Sequence, residues 1–180
     1  MSHELIAIID FGSQYGQLIA RRVRENNVLS RVFQPSIKAD ELKKHGDLKG
    51  VILSGGPASV YAKNAPTCDA DIFKLGVPVL GICYGMQIGC KILGADIAPA
   101  KSREYGRTAL KITSGNELFG SVPASTTVWM SHGDQVNELS SEFASLGPTP
   151  TWPYAAVKHK SMPFYGVQFH PELTHTPHGK

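Results

Sequence analysis

Two short segments hold residue types that could together carry out acyl-transfer chemistry. The first is Gly81-Ile82-Cys83-Tyr84-Gly85. A buried strand leads into it and a helix leads out, the arrangement of a nucleophile elbow with Cys in place of Ser. Side chains two before and two after the nucleophile would collide with neighbouring backbone, which is why glycine stands at both places. The helix that follows points its N-terminus at the sulfur and favours its anionic form. The second segment is Phe169-His170-Pro171-Glu172. A cysteine nucleophile needs a base, and the base needs an orienting group. In extended chain, residues two apart share a face, so Glu172 can brace the imidazole of His170. Pro171 restricts the backbone between them. Of the other cysteines, Cys90 lies two helical turns beyond Cys83 and reads as core. Cys68 sits in a polar loop beside Pro66 and has no assigned role.

Further groups could complete such a site. Ser54-Gly55-Gly56-Pro57 follows a buried strand, and a Gly-Gly turn lets backbone N–H groups approach a developing oxyanion. The N–H of Tyr84 would be a second donor. Ser131-His132-Gly133-Asp134 follows a strand ending at Met130 and could hold a small zwitterion. His132 is the rival base. It has no carboxylate on its own strand face and ranks behind His170. Gly12 and Gly16 hint at a dinucleotide loop, but their spacing is wrong and no acidic residue ends a second strand at the right distance. The seven His and three Cys show no paired ligand spacing, so no metal site is expected, and His175 and His178 read as solvated loop residues.

The elements that must position these residues are legible in the apolar pattern. Leu5–Ile9, Val28–Phe33, Val51–Leu53 and Pro78–Ile82 are short apolar runs, the form of strands buried on both faces of a parallel sheet. Tyr15–Asn26 is an amphipathic helix, Asp40–Lys44 a short helix, and Ala70–Leu75 and Tyr84–Leu93 further helices. From Ala109 the pattern changes to short strands at 109–112, 126–130, 154–158 and 165–170. Gly55–Val60 and Ala98–Gly106 are expected to be loops. Alternation of strand and helix predicts an α/β fold, a doubly wound, mostly parallel sheet with added antiparallel edge strands.

Composition narrows the class. The chain has 180 residues, 42% of them hydrophobic, which suits one globular domain. A net charge of +3 is too small and too scattered for a nucleic-acid binder. No apolar stretch has the length of a membrane span. Met1-Ser2-His3-Glu4 does not open a signal peptide. A cytoplasmic protein with no nucleic-acid or membrane partner is expected.

Taken together, the chain resembles a class I (triad) glutamine amidotransferase domain. The resemblance rests on Leu53–Pro57, Gly81-Ile82-Cys83-Tyr84-Gly85-Met86-Gln87 and Gly166-Val167-Gln168-Phe169-His170-Pro171-Glu172, in the family's order and spacing. Within the family it is similar to the glutaminase domains that serve the amination of xanthosine 5′-phosphate. That narrower likeness rests on Asp10–Tyr15, Ser54–Val60, Arg103–Gly106, Trp129–Asp134 and Thr174–Thr176. The resemblance implies a flavodoxin-like fold and one glutaminase domain over residues 1–180. It implies Cys83 as nucleophile, His170 as base, Glu172 as its orienter, and Gly56 and Tyr84 as oxyanion donors. Gln87, Ser131, His132, Gly133 and Asp134 would bind L-glutamine. No cofactor is implied here. ATP and Mg²⁺ would belong to an ATP-pyrophosphatase (synthetase) partner, and the short run after Glu172 suggests a fragment of a two-domain enzyme. Other readings stay open: the glutaminase of another triad amidotransferase such as anthranilate synthase, a Cys hydrolase on the same fold, or a non-catalytic module.

Overall fold

The computed structural model describes residues 3–114 and 117–180, the side chains of residues 100–103 excepted. Its elements are β1 (Glu4–Ile9), α1 (Gly16–Arg24), β2 (Leu29–Phe33), α2 (Ala39–Leu42), β3 (Asp47–Leu53), β4 (Val79–Ile82) and α3 (Tyr84–Ile92). They continue with β5 (Asp96–Lys111), β6 (Ser125–Glu138), β7 (Phe143–Gly147), β8 (Ala156–His159) and β9 (Phe164–Val167). A 3-10 helix covers Ala70–Lys74.

The main sheet has the order β2-β1-β3-β4-β9-β8-β7. Pairings from β2 through β9 are parallel, and β8 and β7 add an antiparallel edge. The apolar runs become two-faced strands because successive side chains point to opposite sides of a sheet. Ala7 and Ile9 of β1 join one core with Val51 and Leu53 of β3, whereas Ile8 joins the other with Ile82 of β4. Met86, Ile88 and Cys90 of α3 pack into the first core, and Ile19 and Ala20 of α1 into the second. Helices therefore cover both faces, which is the doubly wound arrangement expected. Among the described residues no helix is long and apolar enough to cross a membrane.

Two expectations need correction. β5 and β6 are not edge strands of the main sheet. They form a separate antiparallel ribbon of 16 and 14 residues. Residues 98–106, expected as a loop, lie inside β5, and 131–134 lie inside β6 rather than in a turn after it. Turn-forming Pro99, Gly106, Gly133 and Asp134 break the sequence pattern, but pairing across the ribbon overrides their preference. The ribbon straddles the sheet. Ile97 and Val136 at one end enter the first core, and Leu110, Val128 and Met130 at the other enter the second. Its middle crosses the carboxyl ends of the parallel strands, with a register shift between Pro99 and Glu104.

Candidate active site

Open parallel sheets form sites outside the carboxyl ends of their strands. Here a cavity of about 450 Å³ opens at that edge. Its walls come from the segments that follow β1 (Gly12–Tyr15), β3 (Gly56–Ser59) and β4 (Cys83, Tyr84 and Gln87), from Ser131–Asp134 of β6 and from His170 after β9. The volume lies within the roughly 300–1,000 Å³ usual for small-molecule sites.

Cys83 stands between β4 and α3 with φ 51° and ψ −108°. That is left-handed backbone for a residue with a side chain, a conformation that costs about 1–3 kcal/mol. The surrounding glycines make it possible. A Cβ on Gly81 would lie 2.6 Å from Gly85 O, and one on Gly85 would press into the Leu53 carbonyl. The sulfur sits at the N-terminal end of α3, 3.6 Å from Ser131 O and 3.6 Å from Gln168 Nε2. Cys83 is only 7% exposed.

His170 and Glu172 meet as expected, but by a different route. The chain is not extended after β9. It turns at Pro171, and the turn brings Glu172 Oε1 to 2.7 Å from His170 Nδ1. The other carboxylate oxygen is buried without a hydrogen-bond partner among the described residues, so the imidazole is the group on which the carboxylate acts. His170 is held at its backbone too: its N–H donates to Trp129 O, and its carbonyl accepts from Thr176 Oγ1 at 2.9 Å. Nδ1 faces Glu172, which leaves Nε2 for the cavity. Cys83 and His170 flank Gly55, where a Cβ would lie 3.2 Å from His170 Cε1 and 3.7 Å from Cys83 Cβ. The sulfur lies against Ser131 O and Gln168 Nε2, and it interacts with the His170 imidazole as well. Active-site hydrogen bonds often tighten only around substrate.

The two candidate bases are driven apart electrostatically. Burial alone would lower the pKa of His170. Interaction with Cys83 and then with Glu172 outweighs burial and pushes it up to about 10. His132 moves the other way: burial lowers it, and its contacts with the Asp134 carbonyl and Glu104 only partly offset that. Its Nδ1 lies 3.0 Å from Asp134 O, while Nε2 stands 3.5 Å from Glu104 Oε2 and makes no hydrogen bond among the described residues. Environments that separate two titratable groups in this way separate acid–base roles. His170 is the cationic partner at neutral pH and His132 a neutral wall of the cavity.

Gly56 approaches Phe11 so closely that a Cβ would lie 2.7 Å from its carbonyl oxygen. Tyr84 opens α3, and the first N–H groups of a helix have no partner within it. Both backbone donors therefore border the cavity beside Cys83. Gln87 lies near the cavity but is buried. Its Nε2 donates to Asp134 O at 2.8 Å and to Gln168 Oε1 at 3.2 Å. Cys68 and Cys90 are both buried, and burial raises both thiols, Cys68 to about 12. Neither lines the cavity. Arg103 has no described side chain. His175 stacks on Trp129 with centroids 4.5 Å apart, and both His175 and His178 are exposed.

Some functional positions carried little signal in the sequence. Asp10 organises the loop after β1: its Oδ1 accepts from Gly12 N, Ser13 N and Ser54 Oγ. Gln168 is fully buried behind the sulfur. Its signal was a lone polar residue between Val167 and Phe169 in an apolar run, since a buried amide must find partners.

Comparison with known proteins bears on the family and the fold. The family model for glutamine amidotransferase class-I matches residues 7–180. The chain belongs to this family. It is 50% identical over 179 residues to a protein named GMP synthase [glutamine-hydrolyzing] from Caldanaerobacter subterraneus, covering 99% of this chain and 35% of that one. The same identity extends over 176 residues to the like-named protein of Staphylococcus carnosus, covering 98% of this chain and 34% of that one. The amidotransferase chain thus spans about a third of the length of these relatives. Among solved structures, it is similar to a Thermoplasma acidophilum protein provisionally assigned as a GMP synthase subunit. That match has a TM-score of 0.88 and 30% identity, over 99% of this chain and 89% of the other. A glutamine amidotransferase from Thermotoga maritima shares the fold, with a TM-score of 0.73 and 23% identity over 96% of this chain and 77% of the other.

Proposed function

We propose that the chain is the glutaminase of a GMP-forming amidotransferase: it releases ammonia from L-glutamine for the amination of xanthosine 5′-phosphate. One observation carries the reading. An imidazole and a strained thiol, contributed by two separate segments, converge on one cavity at the carboxyl edge of the sheet, and a buried carboxylate backs the imidazole. Half identity to glutamine-hydrolysing GMP synthases supports the choice of acceptor.

In this reading the thiol proton of Cys83 already rests on His170 Nε2 before glutamine is attacked, and Glu172 stabilises the imidazolium at Nδ1. The sulfur attacks the side-chain amide carbon of glutamine, a C–S bond forms, and the carbonyl electrons move onto oxygen. The backbone N–H groups of Gly56 and Tyr84 stabilise that oxyanion. Collapse breaks the C–N bond, the imidazolium protonates the leaving nitrogen, and ammonia departs from a γ-glutamyl thioester. His170 then takes a proton from water, which attacks the thioester. Glutamate leaves, and the sulfur and the imidazolium return to their starting state. Ser131–Asp134 of β6 forms the wall against the amino-acid end of glutamine. Gln87 holds that wall in place through Asp134 O. The ammonia is used by an ATP- and Mg²⁺-dependent synthetase domain in the cytoplasm.

The test is steady-state ammonia release from glutamine, set against glutamate esters and peptides, together with peptide mapping after exposure to an electrophilic glutamine analogue. Label confined to Cys83 and turnover confined to glutamine are expected. Label on Cys90 or Cys68 with Cys83 unmodified would overturn the assignment.

A further inference from the structure

We infer that the side-chain amide of Gln168 is a second, permanent hydrogen-bond donor to the Cys83 sulfur, and that the wall of the substrate cavity sets its orientation. This role rests on Cys83 being the nucleophile of the proposed function.

Asp134 O is a backbone carbonyl and can only accept. Gln87 therefore presents its NH₂ group to it, at 2.8 Å. The same NH₂ group lies 3.2 Å from the Gln168 amide, so the Gln168 atom facing it is the oxygen. That leaves the NH₂ of Gln168 facing Cys83 Sγ, at 3.6 Å. Amide orientation is normally a matter of assignment. Here the carbonyl at the far end of the hydrogen-bond series decides it. Gln168 is 0% exposed and Gln87 4%, so water does not compete for either amide.

The sulfur thus has two contacts of opposite sense. Ser131 O, also at 3.6 Å, can accept from the thiol but repels an anionic sulfur. Gln168 donates, and its attraction grows as negative charge develops. With the proton on His170, the Ser131 contact is unfavourable and the Gln168 contact is strengthened. Gln168 itself gains and loses no proton, so it can act in every turnover without being reset. Asp134 O also lies 3.0 Å from His132 Nδ1, so one carbonyl of β6 anchors both the cavity wall and the amide series leading to the sulfur. Movement of that wall on glutamine binding would be transmitted to the nucleophile through two amides.

The experiment measures the rate of Cys83 alkylation by iodoacetamide against pH, in the full chain. Gln168→Met keeps the volume and removes the donor. Gln168→Glu keeps the shape and the Gln87 contact but replaces the donor with an acceptor. A hydrogen bond to a charged group is worth more than a neutral one. Alkylation near pH 7 is therefore expected to fall about tenfold in Gln168→Met and at least as much in Gln168→Glu, and to recover as the pH rises. Glutamine hydrolysis should lose kcat with little change in KM. Wild-type alkylation rates in both variants would overturn the inference. So would an equal loss at every pH, which marks a structural role only. If Gln168→Met does not fold, Gln168→Glu alone decides. Cys83→Ala separates the failure of the nucleophile from the failure of its donor. If iodoacetamide and the glutamine analogue still inactivate or label that variant at another cysteine, the nucleophile assignment fails. If labelling is lost but the Gln168 variants match wild type, only the role of Gln168 fails.

Discussion

At Cys83 and His170 the structure holds two groups in states they would not choose alone. A φ of 51° at Cys83 is strained for any residue with a Cβ. Cys83→Gly is therefore expected to melt higher than Cys83→Ala, by about 2–4 °C for each kcal/mol of strain relieved. Thermal unfolding of the two inactive variants side by side measures it, and equal Tm values would mean that the turn carries no strain. His170 is held protonated, with its pKa raised from 6.5 to about 10. A raised folded-state value means that the imidazolium stabilises the fold. That contribution is present in full below about pH 6.5 and is lost as the pH rises through about 10. Nitrogen NMR should show His170 protonated at pH 8, and Glu172→Gln should lower its midpoint. A midpoint below 7 in the wild type would contradict the charge state described. The roles of these residues were readable because each sits in a segment whose spacing has a mechanical reason. Gln168 was not, because its partners Gln87 and Cys83 come together only when β4, α3 and β9 pack.

At the scale of elements, α3 and the turn after β9 do the positioning. α3 lies close enough to β3 that Gly85 has no room for a methyl group against Leu53. Gly85→Ala is expected to destabilise the fold by about 1–3 kcal/mol or more, read from denaturant midpoints at constant m. The turn from Pro171 is fastened by Thr176, whose Oγ1 accepts from Trp129 N and donates to His170 O. Thr176→Val is nearly isosteric but leaves both backbone groups without this partner, at a cost of about 1–3 kcal/mol. If Thr176 fixes the imidazole, kcat for glutamine hydrolysis should drop while KM stays close to wild type. Unchanged kcat would show that the Trp129 carbonyl is anchor enough. The parallel strands and α1 and α3 were legible because an apolar run or a 3.6-residue period is a local signal. β7 was not: Phe143-Ala144-Ser145-Leu146-Gly147 has few residues that favour strands, and it forms because β8 offers it an edge.

At the scale of the molecule, the notable feature is the ribbon of β5 and β6, whose ends enter opposite cores while its middle forms the cavity wall. This couples the two faces of the sheet to the site, and a single cooperative transition is expected. Calorimetric and van't Hoff enthalpies should agree, and fluorescence from Trp129 of β6 should melt together with far-UV circular dichroism. A separate early transition from Trp129 would show that the ribbon opens independently of the sheet.

The same ribbon makes a statement about which length changes this chain can tolerate. Adding or deleting one residue between Ile97 and Leu110, or between Val128 and Val136, would swap inward and outward side chains over the rest of that strand. A change of two would restore the faces but slide Ser131–Asp134 by about 7 Å relative to the sulfur. The ribbon therefore acts as a ruler, graduated at both ends by a hydrophobic core and read in the middle by Cys83. Surviving insertions and deletions should cluster outside it, and substitutions within it should be accepted far more readily than any change in its count.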